Sequence, residues 1–282
     1  MVQQASSLHT PGDEGGTVIQ RSDGGVAVGI RGGREPEEDW RKVTIYGSRL
    51  LRRELVAHRT LACVLERPKG FAFKAGQYVD VTLPEPLFDD LLGPTRSFSI
   101  ASSPTEPELL LVMRMRDSAF KRSIAEMALG SPVLVDGPAD DLALDANGGS
   151  PLVMLAGGVG IAPFLSALRE AAATGGRLAA TIFYANRRPE DAPYLDELLD
   201  LEHRIDGYRC IPTMTRMIDS ERGWTGATGR LGAAMLGRYL PALVGPRYYL
   251  SGSTVFISGL RQELARAGVP GSDIRIEMYT GY

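Results

Sequence analysis

The chain changes its grammar near Gly149, and that change constrains the fold more than any single motif. Beyond it, apolar runs of strand length (152–156, 179–184, 208–214, 247–251 and 274–279) alternate with stretches of helical period at 163–173, 191–201, 231–236 and 257–267. Strands buried on both faces read as near-continuous apolar runs, and strand–helix alternation implies a parallel sheet covered by helices. Upstream, short runs such as 61–65 and 78–83 alternate apolar with polar residues between Gly and Pro, the pattern of a small antiparallel barrel. One helix is expected there at 119–129, with Phe120, Ile124, Met127 and Ala128 on one face and Gly130 ending it.

Three segments follow. Residues 1–40, rich in Gly, Ser and acids, read as a flexible tail; 41–145 form the barrel domain; 146–282 form the parallel-sheet domain. At 282 residues and 44% hydrophobic, the chain has material for two cores. No apolar run reaches the roughly 20 residues of a membrane span, and the first residues lack a secretory pattern, so a cytoplasmic protein is expected. The two cysteines, Cys63 and Cys210, lack the spacing of a zinc site or an iron–sulfur cluster, and no metal site is expected. A net charge of -3 argues against bulk attraction to nucleic acid.

Two motifs carry chemistry. Gly157-Gly158-Val159-Gly160-Ile161-Ala162-Pro163 follows a buried strand and opens a helix, the context in which a glycine loop becomes a candidate dinucleotide site. Gly158 and Gly160 would let the backbone approach a diphosphate, and Pro163 suits the first helical turn. A third of the chain earlier stands Arg96-Ser97-Phe98-Ser99-Ile100-Ala101-Ser102-Ser103-Pro104. Its arginine is a planar fork suited to phosphate, its Phe a stacking face and its serines hydrogen-bonding groups.

With Ala75-Gly76-Gln77-Tyr78 and the ending Glu277-Met278-Tyr279-Thr280-Gly281-Tyr282, these motifs resemble the ferredoxin-NADP reductase superfamily over roughly residues 53–282. The resemblance implies an antiparallel six-stranded FAD-binding barrel followed by a Rossmann-like, parallel-sheet NAD(P)-binding domain, of the bacterial type without an iron–sulfur domain. It implies that Arg96 and Ser97 serve the flavin diphosphate region, that Phe98 walls the isoalloxazine ring and that Ser99 stands near its reactive nitrogen. Val112, Arg114, Ser118 and Lys121 fall where the family wraps the FAD phosphates and adenosine. For Ser118 two readings stand, a diphosphate ligand and a plain helix cap.

In the sheet domain the resemblance places Thr213 near the nicotinamide ribose, and Arg187 with Arg188 at the strand end where the adenosine ribose should lie. The basic pair favours NADPH slightly over NADH. Where the family commonly carries Cys-Gly-Pro, this chain has Ser251-Gly252-Ser253, so Ser251 and Gly252 would stand beside the nicotinamide. Tyr282 would stack on the flavin as a gate. Thr280 stands where plant-type members place an acid, and Glu277, the nearest acid, reads either as a proton relay or as a structural carboxylate. Catalytic roles are therefore expected of Ser99, Ser251, Glu277 and Tyr282.

The implied activity is an FAD-dependent reductase that takes hydride from NADH or NADPH and passes electrons to ferredoxin, flavodoxin or an oxygenase component. The basic run from Arg41 to Arg59, with Lys42, Arg49, Arg52 and Arg53 between them, reads either as steering of an acidic ferredoxin or flavodoxin or as a solvated surface. Two other readings stay open: a non-catalytic flavin or nucleotide sensor, and the reductase subunit of a larger complex.

Overall fold

The computed structural model describes residues 17–22, 25–30, 44–140, 142, 144 and 151–279. The first sheet runs through β1 (Thr17–Ser22), β2 (Gly25–Ile30), β3 (Thr44–Ala57), β4 (Thr60–Glu66), β5 (Gln77–Thr82), β6 (Thr95–Ser99), β7 (Glu108–Arg114) and β8 (Pro132–Asp140). All its pairings are antiparallel; β3 pairs with β8 and β4, β8 with β5, β5 with β6, and β4 with β7. A bridge between Ile100 and Leu111 links the two ends of this series, so β3 to β8 make the expected six-stranded barrel. Helix α1 (Ala119–Glu126) lies between β7 and β8. The segment read as a tail differs from expectation: β1 and β2 pair with each other, and β2 joins β3 through Val26 opposite Ile45.

Burial explains why some barrel strands alternate and others do not. On β5, Val79 and Val81 point into the barrel core while Tyr78, Asp80 and Thr82 are half-buried. Strands β4 and β7 are buried on both faces: Leu61, Cys63, Leu65, Leu109, Leu111 and Met113 fill the barrel, whereas Ala62, Leu110 and Val112 pack against Val159, Ile161, Ala162 and Phe164 of the second domain. The unbroken apolar run 109–113 is the signature of that interface.

The second sheet is parallel, in the order β12-β11-β10-β9-β13-β14. It contains β9 (Leu152–Gly157), β10 (Arg177–Asn186), β11 (Asp206–Met214), β12 (Ala227–Thr228), β13 (Arg247–Ser253) and β14 (Ile274–Tyr279). The helices are α2 (Ala162–Ala173), α3 (Leu195–Asp200), α4 (Ala233–Tyr239) and α5 (Thr254–Arg266). Period-2 alternation divides each strand between two cores, with Leu152, Met154 and Ala156 on one face and Val153 and Leu155 on the other. The chain runs outward from β9 through β10 to β12, then returns to the other side of β9 as β13. The order therefore reverses between β9 and β13, and a crevice opens beyond their carboxyl ends.

One helix boundary departs from the expected 191–201. Residues Pro189–Asp191 form a 3-10 turn and α3 begins only at Leu195, because Pro193 interrupts the pattern and Tyr194 takes a left-handed φ of 59°. Of the four residues released from the helix, Asp191 carries the interdomain contacts described below.

Candidate functional site

Two cavities open where the barrel meets the sheet. The first, about 590 Å³, is bordered by Arg96, Ser97, Phe98 and Ser99 of β6, by Val112 and Arg114 of β7, by Ser118 and Lys121 at the start of α1, and by Glu277 and Met278. The second, about 660 Å³, is bordered by Gly157, Gly158, Asn186, Arg187, Ser253 and Phe256 at the strand ends, and by Arg59 and Thr60 of the barrel. Arg114, Arg116, Asp117 and Val159 border both, so the two spaces adjoin.

Where the first cavity meets β14, three side chains from distant parts of the chain converge. Ser99 donates to Glu277 Oε1 at 2.6 Å, and Ser251 donates to Glu277 Oε2 at 3.1 Å. Glu277 is only 4% exposed, and both serines are buried. The register explains the meeting: Ser251 and Glu277 are partners across β13 and β14, and the barrel presents Ser99 to them from β6. Ser251 borders neither cavity and stands behind Glu277. The expected placement of Ser251 at a cavity wall is thus not what this arrangement gives. Tyr282 lies outside the described residues.

Electrostatics in the first cavity are positive. Lys121 donates to the Arg114 carbonyl at 2.9 Å; burial and the charges of Arg116 and Arg96 pull its pKa down to about 8. Arg96 donates to the carbonyls of Leu92, Gly93 and Thr95 and pairs with Asp90 at 3.4 Å. Ser97 donates to Asp80. Phe98 packs on Phe120 with ring centroids 5.7 Å apart. At the start of α1, Asp90 Oδ2 accepts the Ala119 N–H at 3.0 Å, while the Ser118 hydroxyl makes no cap bond. The plain-cap reading of Ser118 therefore does not hold.

The glycine loop is held by structure on one side and open on the other. A Cβ on Gly160 would stand 2.2 Å from the Ser251 carbonyl oxygen, so that glycine is required by backbone packing against β13. Gly158 has φ +56° with open space around a notional Cβ, and it borders the second cavity. Tyr184 holds the loop by donating to the Gly158 carbonyl at 3.1 Å. Pro163 is buried in the first turn of α2. Gly252 is buried, and a Cβ there would meet the Phe256 ring at 2.9 Å. Thr213 is fully buried and donates to the Gly229 carbonyl at 2.9 Å. Thr213, Gly160, Gly252 and Pro163 thus shape the site from behind its surface. Arg187 borders the second cavity, whereas Arg188 is committed to Asp191 and to the Asp219 carbonyl.

Several residues of the site carried no sequence signal. Asp90, Asp191, Phe256 and Tyr184 become legible only once strand ends and loops are placed. The basic stretch also acquires a different meaning. Arg52 pairs with Glu108, Arg53 donates to the Ile124 and Met127 carbonyls at the end of α1, and Arg67 donates to the carbonyls of Phe71, Pro104 and Glu106. Arg53 and Arg67 thus close helix and loop ends within the barrel, while Arg52 ties β3 to the start of β7.

A dinucleotide fits this donor set on one observation. Among the described residues, three buried polar side-chain atoms lack a hydrogen-bond partner, and two belong to residues bordering the cavities: Ser118 Oγ at the first, Asn186 Nδ2 at the second. An orphaned buried polar atom calls for a partner, which a bound ligand supplies.

A barrel joined to a parallel sheet, with adjoining cavities at the seam, makes up the two-domain fold. The model of the oxidoreductase NAD-binding domain matches residues 154–262. Ferredoxin–NADP reductase B of Sorangium cellulosum is 31% identical over 220 residues, covering 75% of this chain and 87% of that one. The chain belongs to the ferredoxin-NADP reductase family. The glycine betaine monooxygenase reductase subunit of Chromohalobacter salexigens is 28% identical over 224 residues, 78% of this chain. This chain spans 60% of that relative's length. In fold, a ferredoxin NADP+ reductase of Neisseria gonorrhoeae solved with bound FAD and NADP superposes with TM-score 0.67 at 22% identity, covering 84% of this chain and 99% of that one.

Proposed function

We propose that this protein is an FAD-containing reductase that oxidises NADH or NADPH and delivers the electrons to a protein acceptor, either a ferredoxin or an oxygenase component. The observation that carries the reading is the pair of orphaned polar groups, Ser118 Oγ and Asn186 Nδ2, one at each of two adjoining cavities. The names of the relatives support the acceptor class, since they include oxygenase reductase components as well as ferredoxin–NADP reductases.

When bound, the flavin accepts hydride from the nicotinamide and releases electrons one or two at a time. The chain's own residues bind and orient. Arg96, Ser118 and Lys121 supply cationic and hydroxyl groups for the diphosphate, and Phe98 supplies an aromatic wall. Ser99, fixed by Glu277, offers a hydroxyl to the flavin side of the seam. Gly158, Asn186 and Arg187 receive the pyridine nucleotide, with Arg187 as the cation for a 2′-phosphate. We also place the reaction in the cytoplasm, where NAD(P)H is supplied; cell fractionation tests that placement.

The decisive experiment is anaerobic mixing of the purified protein with NADH or NADPH while following the flavin absorbance. Bleaching of bound FAD is expected. A colourless preparation, or a flavin that neither nucleotide bleaches, refutes the reading and favours a nucleotide sensor.

A further inference from the structure

Beside the second cavity, remote from Ser99 and Glu277, a carboxylate is surrounded by cations from both domains. Asp191 lies in the 3-10 turn after β10, with its side chain only 7% exposed. Its Oδ2 accepts from Arg188 Nε at 2.8 Å, and its Oδ1 lies 3.2 Å from both Arg114 Nη2 and His58 Nδ1. Burial alone would raise its pKa, but the hydrogen bonds from Arg188, His58 and Arg114 pull it down to about 2.

The ownership of these groups gives the cluster its meaning. Arg114 ends β7 and His58 lies in the β3–β4 turn, both in the barrel; Arg188 and Asp191 belong to the sheet domain. Arg114 is fixed at its other end by the His58 carbonyl at 2.5 Å and by Thr60 Oγ1 at 3.2 Å. The neighbouring Glu190 carbonyl accepts the His58 N–H at 2.7 Å, a second bond across the same seam. Arg114 also borders both cavities. The seam is thus held by Ser99–Glu277, by this cluster, by Ser166, which donates to the Ser102 carbonyl at 2.6 Å, and by the Arg169–Glu106 pair at 3.8 Å.

We propose that Asp191 is a positioning residue: it holds Arg114 at the border of the two cavities and locks the barrel to the sheet domain, and so sets the separation at which the two bound cofactors react. The rate consequence rests on the function proposed above. Reacting atoms must come within roughly 3–3.5 Å, and a misplacement of about 1 Å from a distant change can cost 10²-fold. Asp191 acts here through Arg114.

The test uses Asp191→Asn and Asp191→Ala in the full chain, alone and combined with Arg114→Met. In anaerobic stopped flow, Asp191→Asn is expected to lower the limiting rate of flavin reduction at least tenfold, while the nucleotide dissociation constant stays unchanged or tightens as a negative charge leaves the cavity wall. On the Arg114→Met background, either Asp191 substitution should lower the rate by a much smaller factor, since only the His58 contact then joins Asp191 to the barrel. A limiting rate within twofold of the parent, or an equal additional loss on that background, overturns the proposal.

Hydrogen exchange at the His58 amide reads the pin without redox chemistry. Exchange should speed at least tenfold in Asp191→Asn, and unchanged protection overturns the proposal whether or not any nucleotide bleaches the parent. A parent that binds no FAD refutes the functional reading alone.

Discussion

Removing the carboxyl of Glu277 separates a structural from a chemical contribution at the seam. Ser99 and Ser251 both donate into it, at 2.6 and 3.1 Å, and both are buried. Glu277→Ala removes two buried hydrogen bonds, each worth about 1–3 kcal/mol because the acceptor is charged, and with them one interdomain contact. A loss of about 3 kcal/mol follows, or a melting temperature about 6–12 °C lower for a chain of this size. Glu277→Gln keeps one acceptor oxygen and offers an amide N–H to the second hydroxyl, so its stability cost is about 1 kcal/mol. The Gln variant nevertheless lacks the carboxyl that accepts from Ser99, and if that carboxyl serves as an acid–base or orienting group, as the proposed function has it, its loss costs about 10²–10⁴-fold. Thermal melts paired with anaerobic stopped-flow reduction by NADH and NADPH read both quantities. A Gln variant that melts within about 3 °C of the parent and reduces its flavin at least 10²-fold more slowly is expected. A Gln variant reduced at the parent rate refutes the chemical role, and an Ala variant melting like the parent refutes the pin.

Three further outcomes follow from the same geometry. Asp90 holds the Ala119 N–H and the Arg96 guanidinium, groups a flavin diphosphate would use, so Asp90→Asn should tighten FAD binding several-fold by equilibrium dialysis; weaker binding would show that Asp90 serves the site as scaffolding. Lys121, lowered from 10.5 to about 8, is less protonated in the fold than in the unfolded chain between those values, so the ligand-free protein gains stability as pH rises from about 8 to 10.5. FAD affinity should fall over the same rise as the cation is lost, and Lys121→Met should flatten both profiles; a parent with flat profiles contradicts the assignment. Gly160→Ala places a Cβ 2.2 Å from the Ser251 carbonyl and should cost about 3 kcal/mol in denaturant unfolding, whereas Gly158→Ala should cost about 1 kcal/mol and weaken nucleotide binding instead. Equal unfolding costs for the two alanines would remove the distinction between packing and ligand-facing glycines.

What the sequence revealed was whatever repeats with a local period. The parallel sheet was legible because Leu152 to Ala156 is buried on both faces, and the barrel because Val79 and Val81 alternate with half-buried neighbours. The cavity residues Arg96, Phe98 and Ser99 were legible through a motif and its family resemblance, and Ser118 and Lys121 through that resemblance alone. Hidden were contacts joining residues far apart in the chain. Asp191 read as the first residue of a helix, since nothing local says that His58 and Arg114 would arrive from 133 and 77 positions away. Arg52, Arg53 and Arg67 read as a charged surface because their partners are carbonyls and a carboxylate supplied by distant turns. Strands β1 and β2 were missed for a related reason. They gain their edge from β3, and a two-stranded ribbon alone is marginal in water.

The serine at position 251 illustrates how a local departure from a family pattern becomes intelligible only in place. Taken alone, exchanging a thiol for a hydroxyl looks like a loss of polarisable surface beside a cofactor. In the fold, residue 251 is fully buried behind Glu277 and its useful property is donation. A hydroxyl is a strong donor and a thiol a weak one. With Ser99 already donating to one oxygen of Glu277, Ser251 satisfies the other, so the carboxyl is bonded from both domains at once. The hydroxyl therefore gives Glu277 a second donor at the point where the first cavity meets β14. Position 251 thus stands against Glu277, and of the three side chains Ser99 and Glu277 are the ones that border the first cavity.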